Sequence, residues 1–359
     1  MTSTLEVLDL VKEFPVRSGL FRRRTGTVHA LSGISLEVPE GTTLGIVGES
    51  GCGKSTLGRS IVGLHDIDSG SIRLGGQPIE SATGQELRSV RRRVQMVFQD
   101  PFASLNPRLT IGSAIIEALE IHGLAAGRRR ERAQELMEMV GLRPDFVQRY
   151  PHEFSGGQRQ RIGIARALAV EPEVLVLDEP VSALDVSVQA GVLNTLKELQ
   201  GVLGLTYVFI AHDLSVVRYL SDVVAVMYLG RVVESAPTDE LFSAPEHPYT
   251  KALLSAVPIP DPRIERGRER ITLTGDVPSP LSPPSGCRFR TRCWKATEQC
   301  ATEVPLLRTM SDGSRVACHH PESEEPTESV SAASLLKRPT EIADPTGPAQ
   351  TQRTEAGSR

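Results

Sequence analysis

Three short apolar runs mark the first part of the chain, and each ends in polar or glycine residues. Leu44 to Val47 runs into Gly48, Val174 to Leu177 into Asp178 and Glu179, and Tyr207 to Ala211 into His212. Runs of this length between turn residues read as strands of a parallel sheet, and the helix-like stretches between them supply the crossovers that such a sheet requires. Met1 to Leu10 alternates apolar and polar positions in a strand-like pattern. Ala114 to Leu124 and Arg130 to Val140 carry helical patterning and lie together, which predicts a helical subdomain over about residues 100–172. Val223 to Glu234 reads as a hairpin turning at Leu229-Gly230. These elements predict one α/β domain over residues 1–258.

The composition changes near Pro258. Prolines recur to Pro284, and residues 259–320 hold four of the five cysteines, which predicts a small C-terminal extension. Beyond Pro321, residues 321–359 are rich in Ser, Thr, Glu and Pro and lack the apolar content to offset ordering entropy, so they are expected to be disordered. The formal net charge of −4 gives no basic field for nucleic acid. No apolar run reaches the ~18 residues that cross a bilayer, and the N-terminal segment lacks a signal-peptide core, so a cytoplasmic location is expected. In a reducing compartment disulfides are disfavoured and metal ligation is the alternative use of cysteine.

Gly48-Glu49-Ser50-Gly51-Cys52-Gly53-Lys54-Ser55, followed by Thr56, matches the phosphate-binding pattern G-x-x-x-x-G-K-[ST] between a strand and a helix. Its glycines let backbone N–H groups curl around phosphate oxygens, and the helix N-terminus adds partial positive charge. Lys54 is expected to reach the β- and γ-phosphates of ATP, and Ser55 to ligate Mg²⁺. Asp178 would hold Mg²⁺ through water or directly, and Glu179 would polarise the attacking water.

Ser155-Gly156-Gly157-Gln158 lies between these two motifs. With it the chain resembles the ATP-binding-cassette (ABC) ATPases. Gln99 matches that family's Q-loop, Ser182 to Asp185 its D-loop and His212 its switch histidine. Phe14 is a candidate for stacking on adenine. The resemblance implies an α/β P-loop ATPase: a mostly parallel core, an antiparallel β subdomain and a helical subdomain. It implies catalytic roles for Glu179, His212 and Gln99, with Gln99 also at Mg²⁺. It further implies that Ser155 to Gln158 close over ATP held by a second ATPase subunit, two nucleotides being sandwiched between two subunits.

Phe98 to Arg108, His247 to Thr250 and Gly275 to Cys293 carry a narrower likeness, to the ATPase subunits of oligopeptide and dipeptide importers. That likeness implies a heterodimer with a related ATPase, two integral membrane permease subunits, an extracytoplasmic solute-binding protein acting indirectly, and a peripheral position on the cytoplasmic face of the membrane. Nickel and glutathione importers share the family, so peptide is the majority expectation. A soluble ABC ATPase acting on nucleic acid or ribosomes is the rival; such proteins usually carry a long coiled-coil insertion or two ATPase modules, and neither is present here.

Cys287, Cys293, Cys300 and Cys318 do not follow the paired C-x-x-C spacing of common zinc sites. Spacing alone leaves open an iron–sulfur cluster, zinc or free thiols. The resemblance favours a [4Fe–4S] cluster, carried in this extension by some members of the family. Arg288, Arg290 and Arg292 are placed to offset its charge, and His319 and His320 are alternative ligands.

Overall fold

The computed structural model describes residues 3–18, 23–100, 105–258 and 270–323. Two sheets organise them. The smaller is antiparallel, in the order β2-β1-β4-β5, with β1 at Ser3–Ser18, β2 at Arg23–Pro39, β4 at Ser69–Leu74 and β5 at Gln77–Pro78. The larger contains β3 (Thr43–Val47), β6 (Val94–Val97), β7 (Val174–Asp178), β8 (Thr206–Ile210), β9 (Val223–Tyr228), β10 (Arg231–Pro237), β11 (Arg308–Thr309) and β12 (Arg315–Val316), in the order β11-β12-β10-β9-β3-β8-β7-β6.

The strands from β9 to β6 in that order are parallel. Every residue of β3, β7 and β8 is buried, as expected of strands covered on both faces. Helix α1 (Lys54–Ile61) packs on β7 and β8, and α7 (Leu214–Leu220) on β3; between them the chain forms α2 (Gly84–Arg93), α3 (Ile111–Ile121), α4 (Arg129–Met139), α5 (Gly156–Leu168) and α6 (Val186–Leu203). Helix α1 lies so close to the sheet that a Cβ at Gly58 would meet Ile210 Cδ1 at 2.8 Å. Helices α3, α4 and α5 pack together mid-chain through Ile115, Leu136 and Ile162, all buried.

Hairpin β9–β10 turns at Leu229 and Gly230, both with positive φ (43° and 76°), the handedness that matches strand twist. The chain then forms α8 (Thr238–Ser243), α9 (Pro248–Ser255) and, in the extension, α10 (Glu298–Thr302). The extension is not a free appendage. β12 pairs with β10, Glu234 opposite Val316, and so adds a third antiparallel partner to the main sheet. Phe289, 1% exposed, inserts among Tyr228, Tyr249 and His247, with ring centroids 5.3, 5.3 and 5.8 Å away. Burying one such ring stabilises the contact by roughly 2–3 kcal/mol.

The expected tail begins within the described residues. Glu322 sits 3.1 Å from both Lys251 and Lys295, and the Ser323 N–H donates to Glu246, so the chain stays attached through Ser323. Residues 324–359, the rest of the expected disordered tail, lie outside the described residues.

Candidate functional site

The nucleotide motifs meet at the carboxyl ends of the parallel strands, where open α/β sheets place ligands. β3 leads into the phosphate loop and α1, β6 into Gln99, β7 into Asp178 and Glu179, and β8 into His212. A cavity of about 480 Å³ opens there. Ser50, Gly51, Gly53, Lys54, Ser55 and Thr56 form its floor; Gln99, Glu179 and His212 face them, with Phe14 at one side. A larger cavity, about 740 Å³, lies between the β1–β2 hairpin and the extension and holds none of the nucleotide motifs.

Two of the loop's glycines, Gly48 and Gly53, are required by space. A Cβ at Gly48 would meet the Met227 carbonyl at 2.1 Å, and one at Gly53 the Ala30 carbonyl at 2.5 Å, both at positive φ. Lys54 is 6% exposed, and its Nζ donates to the carbonyls of Gly48 (2.7 Å) and Glu49 (3.1 Å). Ser55 Oγ donates to Asp178 Oδ1 at 2.9 Å. Burial pushes the Asp178 carboxyl above its ordinary value, against the lowering effect of the Ser55 hydrogen bond. A buried carboxylate beside a serine hydroxyl is a donor set suited to Mg²⁺.

Gln99 Nε2 donates to Glu179 Oε2 at 2.8 Å, and His212 Nδ1 lies 3.6 Å from the same oxygen. Glu179 itself has φ 48°, a strained value for a residue with a side chain, which turns its carboxylate out of the β7 line. The three expected catalytic residues therefore form one group.

Other expected residues stand elsewhere. Glu49 and Cys52 turn their side chains away from the cavity: Glu49 toward the extension, Cys52 into the core at 3% exposure. Neither side chain faces the cavity, so only their backbone groups can meet a ligand there. Ser155 to Gln158 do not line the cavity. They open α5 with a capping box, in which Ser155 Oγ accepts from the Gln158 N–H and Gln158 Oε1 accepts from the Ser155 N–H. Gly157 has a steric role that the motif does not announce: a Cβ there would meet Val188 Cγ1 at 2.2 Å. Pro280 of the extension also lines the nucleotide cavity.

The four extension cysteines are free thiols, Cys300 and Cys318 buried and Cys287 and Cys293 half-buried. The Cys318 sulfur lies within electrostatic range of Cys287, Cys293 and Cys300, and Cys293 within range of Cys287 and Cys300. Burial raises the thiols of Cys287 and Cys293 and pushes Cys318 up to about 12. Among the described residues no group of three or more His, Cys, Asp or Glu side chains is arranged around one metal ion. The flanking residues are committed to other partners. His319 lies against the Glu303 carbonyl and His320 against Thr297 Oγ1. Arg288 donates to the Leu229 carbonyl and Ser32, Arg290 to Ser285, and Arg292 to Glu49. Arg288 and Arg292 thus brace the extension to the rest of the chain, Arg290 bonds within the extension, and the histidines are held by neighbours.

Residues 31–182 match the family described as ABC transporter, and residues 233–300 match the oligopeptide/dipeptide transporter C-terminal region. The chain belongs to the ABC ATPases of the oligopeptide/dipeptide transporter type. It is 54% identical to the oligopeptide transport ATP-binding protein AppF of Bacillus subtilis, over 88% of this chain and 96% of that one. It is 52% identical to the dipeptide transport ATP-binding protein DppF of Haemophilus influenzae, over 89% and 97%. Among solved structures, a dimeric post-hydrolysis state of the cassette MJ0796 bound to ADP and Pi superposes with a TM-score of 0.58 at 28% identity, covering 65% of this chain and 98% of that one. CbiO1 from Clostridium perfringens, part of a transporter complex, gives 0.58 at 29%, over 68% and 92%. No helix among the described residues is long and apolar enough to cross a membrane.

Proposed function

We propose that this chain is the ATP-hydrolysing subunit that drives import of di- and oligopeptides through an ABC transporter. The observation that carries the reading is the convergence of Lys54, Ser55–Asp178 and Gln99–Glu179–His212 on one cavity, in a chain joined to a peptide-transporter extension. Lys54 exchanges its loop carbonyls for phosphate oxygens when ATP enters. Ser55 and Asp178 would hold Mg²⁺, which would supply positive charge to offset the charge that develops on the phosphates. Glu179 accepts the proton of the attacking water, and His212 and Gln99 fix the orientation of its carboxylate. Phe14 offers the adenine a ring at the cavity wall.

A related ATPase completes each site with its own signature helix, and the helix opened by Ser155 acts in turn on the partner's nucleotide. Two permeases anchor the pair to the cytoplasmic face of the membrane, and a solute-binding protein delivers cargo from outside. A groove of about 290 Å³ beside the Q-loop, walled by Phe98, Ile121 and Ala167, supports this arrangement: it lies next to Gln99, so a permease segment seated there would sense the γ-phosphate site. Co-purification with two integral membrane proteins and ATP-dependent uptake of labelled dipeptides test the reading. Uptake of nickel or glutathione instead would keep the mechanism and replace the cargo; failure to associate with any membrane protein would overturn the role.

We also propose that Cys287, Cys293, Cys300 and Cys318 ligate a [4Fe–4S] cluster; the reading rests on four thiols within one short extension, and among the described residues they are not arranged around a metal ion. Such a cluster would supply folding stability. Anaerobic purification with iron and sulfide analysis tests this; a colourless, iron-free protein from iron-replete cells excludes it, and one equivalent of zinc replaces it.

A further inference from the structure

The phosphate loop is gripped from behind by the extension. Each polar group of Glu49 has a partner. Its N–H donates to Tyr249 Oη at 2.9 Å, its carbonyl accepts from Lys54 Nζ at 3.1 Å, and its carboxylate accepts from Arg292 Nη1 at 3.1 and 2.8 Å. Tyr249 is 0% exposed and wedged against Tyr228 and Phe289. The Arg292 side chain is 8% exposed and also lies against the Tyr228 phenol. Both gripping residues fall in the stretch matched to the transporter C-terminal region. A second contact runs in parallel: Arg288 donates to the Leu229 carbonyl, and the next residue, Gly230, donates its N–H to the Cys52 carbonyl at 2.8 Å.

This grip answers a physical need of the loop. Gly48, Gly51 and Gly53 give the loop positive-φ conformations that only glycine adopts freely, and they also give it large conformational freedom to lose. A loop that binds phosphate with backbone N–H groups gains affinity when its pose is fixed beforehand. The Glu49 carboxylate is moreover an acid beside a polyanion site, and Arg292 neutralises it.

We propose that Arg292 is a positioning residue for the nucleotide site, acting through Glu49, so that the extension sets the affinity for ATP. The proposal rests on the reading of this cavity as the ATP site. Arg292 touches no nucleotide; it holds Glu49, and Glu49 places the carbonyl that meets Lys54. Because Arg292 is peptide-bonded to Cys293, the packing around the thiols is one residue from the phosphate loop.

The test is equilibrium binding of a fluorescent ATP analogue to the purified full-length chain, with steady-state ATPase assays beside it. Arg292→Ala should raise the dissociation constant and the KM for ATP about tenfold, the size of one partly buried charge contact, while kcat stays within about twofold. Arg292→Lys, which keeps the charge but loses the fork, should fall between. In a Glu49→Ala background, removing Arg292 should cost nothing more. An equal cost of Arg292→Ala with and without Glu49 would overturn the proposal, as would unchanged affinity in the single variant. A general loss of folding would lower the melting temperature and kcat together and would persist in the Glu49→Ala background. If the unmodified chain fails to bind the analogue, it is the reading of the cavity that falls, and the grip goes with it.

Discussion

Gln99 and Glu179 meet at 2.8 Å, amide to carboxylate, although one follows β6 and the other β7. The contact engages Glu179 Oε2, the same oxygen that His212 Nδ1 approaches at 3.6 Å. It also ties the residue that precedes the helical subdomain to the residue proposed to activate water, so a shift of that subdomain would reach the Glu179 carboxylate.

Replacing Glu179 by Gln keeps the shape and the Gln99 contact but removes the proton acceptor. ATP hydrolysis should fall at least about a hundredfold while nucleotide binding persists. Turnover assays with the partner ATPase present, alongside equilibrium binding, check this; near-normal turnover would remove Glu179 from the role of base.

Lys54→Ala acts one step earlier. The ammonium that bonds the Gly48 and Glu49 carbonyls is the group that would meet the phosphates. ATP affinity itself should drop about tenfold or more. Unchanged affinity would mean that the nucleotide binds elsewhere.

Ser155→Ala removes one arm of the α5 capping box and should cost about 1 kcal/mol of stability. Binding of ATP to this chain's own loop should survive, because Ser155 is not in that cavity. Turnover by the assembled pair should slow. Loss of binding in the isolated chain, with turnover of the pair intact, would contradict action across the dimer.

Two buried groups beside α9 give opposite pH dependences. Glu234 is 0% exposed, accepts the N–H groups of Glu246 and His247, and has its carboxyl raised from 4.5 to about 7, chiefly by burial. Its contribution to stability is complete below about pH 4.5 and is lost as pH rises toward 7. His247 is 1% exposed and lowered from 6.5 to about 3 by burial, so its contribution is complete above about pH 6.5 and is lost as pH falls. The slopes offset each other between pH 4.5 and 6.5. In urea unfolding across that range, Glu234→Gln should leave a stability that rises with pH. His247→Asn, which can still cap the helix, should leave one that falls. Parallel profiles in both variants would refute this assignment.

Cutting after Ser323 should change neither stability nor ATPase activity. Cutting after Pro321 removes Glu322 from between Lys251 and Lys295 and should lower the melting temperature by about 1–3 °C. Identical melting curves for the two truncations would show that Glu322 contributes nothing.

Much of this was legible in the sequence because it depends on local order. The buried strands announce themselves as unbroken apolar runs such as Val174 to Leu177, and the nucleotide groups sit where those runs stop. The hairpin at Leu229-Gly230 is a local turn, with the glycine that such a turn favours. What sequence order conceals is which distant segments touch. Arg292 and Glu49 are far apart in the chain and join only because Phe289 docks among Tyr228 and Tyr249. In the linear chain the arginines around Cys287 and Cys293 read as a counter-charge for a cluster, and Glu49 as one position of the phosphate-binding pattern. The steric demand at Gly157 is equally hidden, since Val188 comes from the following helix.

The pairing of Val316 with Glu234 also has a consequence for how the chain is made. The strand that covers the β10 edge emerges from the ribosome long after every nucleotide motif has been synthesised. A nascent or prematurely terminated chain carries the full set of ATP-binding signatures, yet presents an uncovered strand edge and a loop with nothing behind it. Such an edge invites pairing with other chains and attack by proteases. Synthesis through Val316 thus gives β10 a partner at Glu234 and Ser235, and a chain that stops earlier leaves that stretch open.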